Sequence, residues 1–182
     1  KAVPILEQSL RLAEELDDRA LITWNYHHLG WIALAGADYL AAANLGDLAL
    51  AIALETGDGR AQANLLFLLG ETANRQGEFI QAEALYSQAL VIARNLKDSL
   101  IVARILNQMG EAARRQKKYI QAEPFYLECL AIFRDIYGWG GLAIPLTNLG
   151  HVAVRRGDPA RAANYFRDSI ESDKEDSTWN IW

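Results

Sequence analysis

Apolar residues recur at every third or fourth position along this chain, in long blocks broken by short polar turns. The block before Gly77 carries Leu65, Leu66, Leu69 and Ala73, and the block after it carries Ala82, Leu85, Tyr86, Ala89, Leu90 and Ala93. Both spacings describe one apolar face of a helix. Gly77-Glu78 supplies the turn between them, and Lys97-Asp98-Ser99 resets the chain with Asp or Ser available as a helix cap. Asp158-Pro159 offers the same start in stronger form, a capping Asp followed by Pro at the first helical position. The pattern predicts nine helices, no strand, and turns near residues 17–20, 36–38, 57–59, 76–78, 97–99, 116–118, 138–141 and 156–158.

The blocks pair up with a period of 40 residues. Gly30, Gly70, Gly110 and Gly150 share one register, each preceded by Leu or Met and followed three residues later by Ala. Ala42, Ala82, Ala122 and Ala162 share a second, and Tyr86, Tyr126 and Phe166 a third. The opening stretch Ile5 to Asp18 lines up with Leu85 to Asp98, so the chain begins inside a helix. A fixed period of this length means stacked copies of one helix-pair unit. The division is a half repeat over about 1–18 and full repeats over 19–58, 59–98, 99–138 and 139–178, forming one solenoid domain over 1–182. A Gly inside a helix costs roughly 1 kcal/mol against Ala. Its return in every copy points to close approach of the two helix backbones, with the large aromatics filling the space between repeats.

Leu/Met-Gly followed by Ala-x3-Tyr/Phe-x2-Ala, complete in the second copy and repeated in phase with Cys129 and Ser169 at its last position in the third and fourth, resembles the tetratricopeptide repeat family over essentially the whole chain. The Trp of that signature is replaced by Tyr26, Leu66, Leu106 and Leu146, and the Tyr three residues after the Gly is always Ala. The second helix runs longer than in the common 34-residue form. The period looks like the long-repeat variant found in bacterial signalling ATPases, transcriptional activators and kinesin light chains. The resemblance implies an all-α, right-handed superhelical solenoid of antiparallel helix pairs that binds proteins or peptides without catalysis. It implies a sensor or interaction region of a larger bacterial regulator. It also implies that the first helices line a concave groove.

In that register the groove positions are Trp24, His27, Trp31 and Leu34 in the first repeat, and Asn64, Phe67, Glu71, Asn74 and Arg75 in the second. The third gives Arg104, Asn107, Glu111, Arg114 and Arg115, and the fourth Ile144, Thr147, His151, Val154 and Arg155. The surface is expected to be aromatic at its start and basic further on. Asn offers a donor and an acceptor to a peptide backbone, and Arg forks match carboxylates. The expected partner is a protein or peptide, in particular an acidic or C-terminal segment. The plainer readings are a merely solvated charged face, and Trp24 and Trp31 packing on a preceding helix.

Composition narrows the setting. Net charge −5 argues against direct nucleic-acid binding. No apolar run is long enough for a bilayer, and no signal peptide is apparent. The single Cys129 takes an inward position and suits a reducing, cytoplasmic compartment. The ends lack polar capping repeats, which suggests a piece of a longer protein and possible self-association through uncapped ends. A structural or oligomerisation scaffold, or an accessory region of a multidomain enzyme, stands as the alternative.

Nothing in the sequence forms a catalytic, metal or cofactor motif. His27 and His151 fall three repeats apart, and Glu71 with Glu111 reads as groove carboxylates paired with Arg rather than an acid–base pair. Pro124 reads as a tolerated bend within a helix. Gly138-Trp139-Gly140-Gly141 is the better hinge candidate. On this reading Gly70→Leu and Gly110→Leu disrupt the fold locally and Glu71→Ala leaves it intact, an ordering that thermal melts check.

Overall fold

The structure, a computed structural model, describes the backbone of residues 2–138 and 141–179 and the side chains of residues 3–138 and 141–174. Among the described residues there are nine helices and no strand. They are α1 (Ala2–Glu15), α2 (Arg19–Ala35), α3 (Tyr39–Glu55), α4 (Gly59–Gln76), α5 (Phe79–Asn95), α6 (Ser99–Arg115), α7 (Tyr119–Tyr137), α8 (Ala143–Arg155) and α9 (Pro159–Trp179). The turns lie within a residue or so of those expected from the register, and no helix continues through Gly77 or Gly157.

One device makes nearly every turn. The N–H of the residue that opens the next segment reaches back five positions to an Ala carbonyl: Asp18 to Ala13, Asp38 to Ala33, Asp58 to Ala53, Glu78 to Ala73, Asp98 to Ala93, Lys118 to Ala113 and Asp158 to Ala153. The residue between stands in the left-handed region, as in Ala37 (φ 59°), Lys97 (φ 56°), Lys117 (φ 61°) and Gly77 (φ 86°). This is the Schellman end of a helix, which satisfies the orphan carbonyls of the last turn. Four of the following helices are then started by an Asp side chain: Asp18, Asp38, Asp58 and Asp158 accept from Leu21, Ala41, Ala61 and Arg161 N–H at 2.9–3.0 Å. The departure follows α7, where Phe133 stands in the Ala register and the helix runs on to Tyr137. α7 passes through Pro124 without a break. Of the hinge candidate, Trp139 and Gly140 lie outside the described residues. Gly138 and Gly141 both have positive φ, 67° and 78°.

The helices divide into two compact units, residues 1–98 and 99–182. In the first, α1 to α5 pack each on the next, and α2 also packs on α4. Its interior is built from Leu34, Ala42 and Leu68 with Trp31 and Tyr39 against them, and from Ala49, Ala53 and Leu65 with Tyr26. In the second unit, α6 to α9 pack in succession and α6 also packs on α8. Tyr126, Leu130, Leu142, Leu146, Leu149 and Val152 form its core, flanked by Tyr119, Phe133 and Tyr165. The start of α8 has no cap from its own sequence. Ser172 of α9 supplies one, accepting the Leu142 N–H at 2.9 Å.

The repeated glycine has a different purpose from the one its register suggests. A Cβ at Gly70 would stand 2.7 Å from the Tyr86 ring, at Gly110 2.6 Å from Tyr126, and at Gly150 2.5 Å from Phe166. The glycine therefore leaves room for an aromatic ring of the partner helix in the same repeat. The same ring also faces the next repeat, since Tyr126 shares a buried cluster with Leu142, Leu146 and Leu149. In the first repeat Gly46 stands where the ring would be, and Gly30 meets the Leu68 side chain instead, 2.7 Å from a built Cβ.

Two measurements check this packing. Gly70→Ala and Gly110→Ala are each expected to destabilise by about 1–3 kcal/mol in urea unfolding, because Tyr86 and Tyr126 are fully buried and have nowhere to move. Equal midpoints for variant and wild type would refute the ring-seat assignment. Cys129 gives the second. Its thiol is fully buried and burial pushes it up to about 12. The folded state thus keeps a proton that the unfolded chain gives up near pH 8.5. The stability held by the protonated thiol is complete below that value and is lost as pH rises from about 8.5 towards 12. Wild type should lose stability faster than Cys129→Ala across pH 8.5–10 in denaturant titrations, at a rate approaching about 1.4 kcal/mol per pH unit.

Candidate functional site

α2 and α4, the first helices of successive pairs, enclose a cavity of about 230 Å³ in the first unit. Thr23, Trp24 and His27 line it from α2, and Arg60, Asn64 and Leu65 from α4. Trp24 is the conspicuous group, a large apolar ring left 50% exposed. One face is already stacked on His28 at 3.9 Å, and His28 Nδ1 lies 2.8 Å from the Trp24 carbonyl oxygen, which fixes the pair. The indole is thus stacked on one face and half in water.

The neighbouring groups are also ordered. Trp31 Nε1 donates to His27 Nε2 at 3.0 Å, so the neutral imidazole carries its proton on Nδ1. Trp31 packs on Phe67 at 5.6 Å, and Phe67 on Tyr86 at 6.0 Å, linking the cavity wall to the core by ring contacts. Asn64 Nδ2 donates to the Arg60 carbonyl at 3.0 Å, which orients its amide oxygen away from its own helix. Arg60 meets Asp98 at 3.1 Å but keeps 70% of its side chain exposed. Of the groove residues expected from sequence, the structure brings Trp24, His27 and Asn64 together here. Thr23 and Arg60 were missed. Arg60 lies four residues before Asn64, one helical turn on the same face, and that spacing is the signal that could have found it.

Four expected groove residues lie beneath the surface. Leu34 is 2% exposed, Phe67 4%, Glu71 4% and Asn74 1%. Glu71 is no solvated carboxylate: it accepts from the Tyr86 hydroxyl at 2.9 Å and from Arg75 Nε at 3.0 Å. The ring seated against Gly70 carries its hydroxyl to this acid, so Glu71 closes the same packing device from the polar end. The second unit repeats it. Arg114 Nη2 and Nε donate to the two Glu111 oxygens at 2.7 and 2.8 Å, and the Tyr126 hydroxyl lies at 3.4 Å. Burial, reinforced by Glu111, raises the Tyr126 phenol above its ordinary value, so it stays a donor. In the fourth repeat both partners change together. His151 meets Phe166 edge-to-face at 5.4 Å, aromatic contact in place of hydroxyl and carboxylate.

The expected arginines therefore differ among themselves. Arg75 and Arg114 are engaged with carboxylates of the fold. Arg104, Arg115 and Arg155 are exposed. Asn107 Oδ1 accepts from Asn148 Nδ2 at 3.0 Å, a bond between α6 and α8 that sequence reasoning did not find. His151 remains exposed beside its ring partner. Among the described residues, no cluster of His, Cys, Asp and Glu is placed to hold a metal ion. No helix among them is long and apolar enough to cross a membrane.

A family model described as tetratricopeptide repeat matches residues 61–135 and again 101–175. No curated protein matches the sequence. Solved structures share the fold. BtubC (BKLC) from P. vanneervenii superposes with a TM-score of 0.83 at 23% identity, over 100% of this chain and 74% of that one. The apo form of RapI gives 0.82 at 18% identity, over 97% of this chain and 65% of that one. A Rap protein complexed with competence and sporulation factor gives 0.76 at 18% identity, over 94% of this chain and 47% of that one.

The Glu71 assignment reverses an expectation and can be checked. Glu71→Ala removes the acceptor of a fully buried tyrosine hydroxyl, which should cost about 1–3 kcal/mol. Tyr86→Phe removes the donor and leaves Glu71 with Arg75, and should cost no more than about 1.5 kcal/mol. Urea melts of both variants decide it. A silent Glu71→Ala would restore the groove reading.

Proposed function

Because the chain belongs to the tetratricopeptide repeat family, we propose that it is a non-catalytic protein- or peptide-binding module anchored at the α2–α4 cavity. The observation that carries this is Trp24: stacked, half exposed, and flanked by the oriented polar groups of His27 and Asn64. A bound segment would place an apolar side chain against the indole and use Asn64 for its backbone. The exposed Arg104, Arg115 and Arg155 favour acidic or C-terminal segments as ligands of the second unit. Arg75 and Arg114 pair with Glu71 and Glu111. The setting we propose is a cytoplasmic bacterial regulator in which this region senses or holds a partner. Its likeness to a Rap protein solved with competence and sporulation factor supports a ligand-holding role.

Peptides selected from a random displayed library on the whole chain supply the probe. Trp24→Ala should weaken the selected peptides about tenfold, the loss expected for an aromatic anchor. Arg104→Glu with Arg115→Glu should weaken acidic peptides and flatten their salt dependence. If both variants bind as wild type does, neither surface is the site. Gel filtration at two concentrations separates this reading from an oligomerisation scaffold, which would shift in mass.

A further inference from the structure

The turn between α6 and α7 departs from its counterparts in charge. The corresponding turns read Ala37-Asp38, Gly77-Glu78 and Gly157-Asp158, a small residue followed by an acid. Here the pair is Lys117-Lys118. Lys117 takes the left-handed conformation (φ 61°) that glycine fills at two of the other turns, and Lys118 gives α7 no side-chain cap where Asp38 and Asp158 cap their helices. Local stability favours neither lysine.

These residues border a hollow of about 500 Å³ on the second unit, lined by Lys117, Lys118, Tyr119, Ile120, Gln121 and Arg156. Arg156 reaches it from the α8–α9 turn. Among the described residues its carboxylate partner is Glu123, which also pairs with Arg161, so one acid faces two guanidinium groups. Among the described residues neither Lys117 nor Lys118 has an ion-pair partner. The hollow therefore carries an excess of positive charge on a chain whose net charge is −5. It is not simply a wet charged face, because Ile120 stands in it 74% exposed beside the half-buried Tyr119. Cations around an exposed branched apolar side chain match an acidic segment that also carries an apolar residue. RNA would use the cations and gain nothing from Ile120, and a bilayer would need a broader apolar face.

We propose that this hollow is a second peptide-binding surface, taking an acidic segment with one apolar side chain set against Ile120. It uses none of the residues assigned to the α2–α4 cavity or to the exposed arginines, and its test is separate from theirs. The probe is a short labelled peptide of Glu and Asp around a single Leu, titrated by fluorescence anisotropy against the whole chain at low and high salt. Lys117→Gly with Lys118→Ser removes both charges while relieving the left-handed strain, so thermal melts should show a fold at least as stable as wild type. That variant should weaken binding about five- to tenfold and reduce its salt dependence. Ile120→Ser should weaken binding while leaving the salt dependence in place. Lys97→Gly, the same change at the equivalent conformation in the first unit, should bind as wild type does, and so should Trp24→Ala. The proposal is overturned if the wild type does not bind the peptide, if Lys97→Gly weakens it as much as the paired change, or if replacing the peptide's Leu by Ser has no effect. Displacement of the peptide by lower concentrations of RNA or of anionic lipid vesicles would also overturn it.

Discussion

The distance between the two helices of a repeat is set by an aromatic ring lying against a helical turn that has no side chain. Tyr86 on Gly70, Tyr126 on Gly110 and Phe166 on Gly150 repeat this contact. The glycine is unfavourable for the helix that holds it, and burial of a large ring outweighs that cost by several-fold. The contact also orders polar groups of the first helices. In the second and third repeats the ring carries a hydroxyl to Glu71 or Glu111, and those acids hold Arg75 and Arg114. The most regular polar feature of the first helices thus belongs to the interior.

This explains where sequence reading succeeds and where it stops. Period and turn chemistry are local, so Gly77-Glu78 and Asp158-Pro159 are enough to place helix ends to within a residue. Depth is not local. α4 packs on its own partner α5 and on the preceding first helix α2, so a residue such as Phe67, Glu71 or Asn74 can share the groove register with Trp24 and still be covered. The turns at Ala37, Lys97 and Lys117 are legible from the register, but their left-handed backbone is not, because no glycine marks it. What the register did carry was the shared face of Trp24, His27 and Asn64.

The second unit shows how one scaffold admits different surfaces. Its interior keeps the ring seat and the helix-ending alanines Ala113 and Ala153, while its α6–α7 turn exchanges an acid for lysine and its fourth repeat exchanges hydroxyl and carboxylate for His151 on Phe166. Residues that hold the spacing vary only in matched pairs. Residues at turns and exposed face positions vary singly, and these supply the chemical differences between repeats.

The hydrogen bond from the Leu142 N–H to Ser172 links residues 30 apart in sequence. A chain emerging from the ribosome N-terminus first exposes the opening of α8 well before its acceptor exists. Until α9 has been made and has folded back, that end of α8 has no side chain to hold it and frays. The opening turn of α8 therefore depends on α9 having folded back onto it.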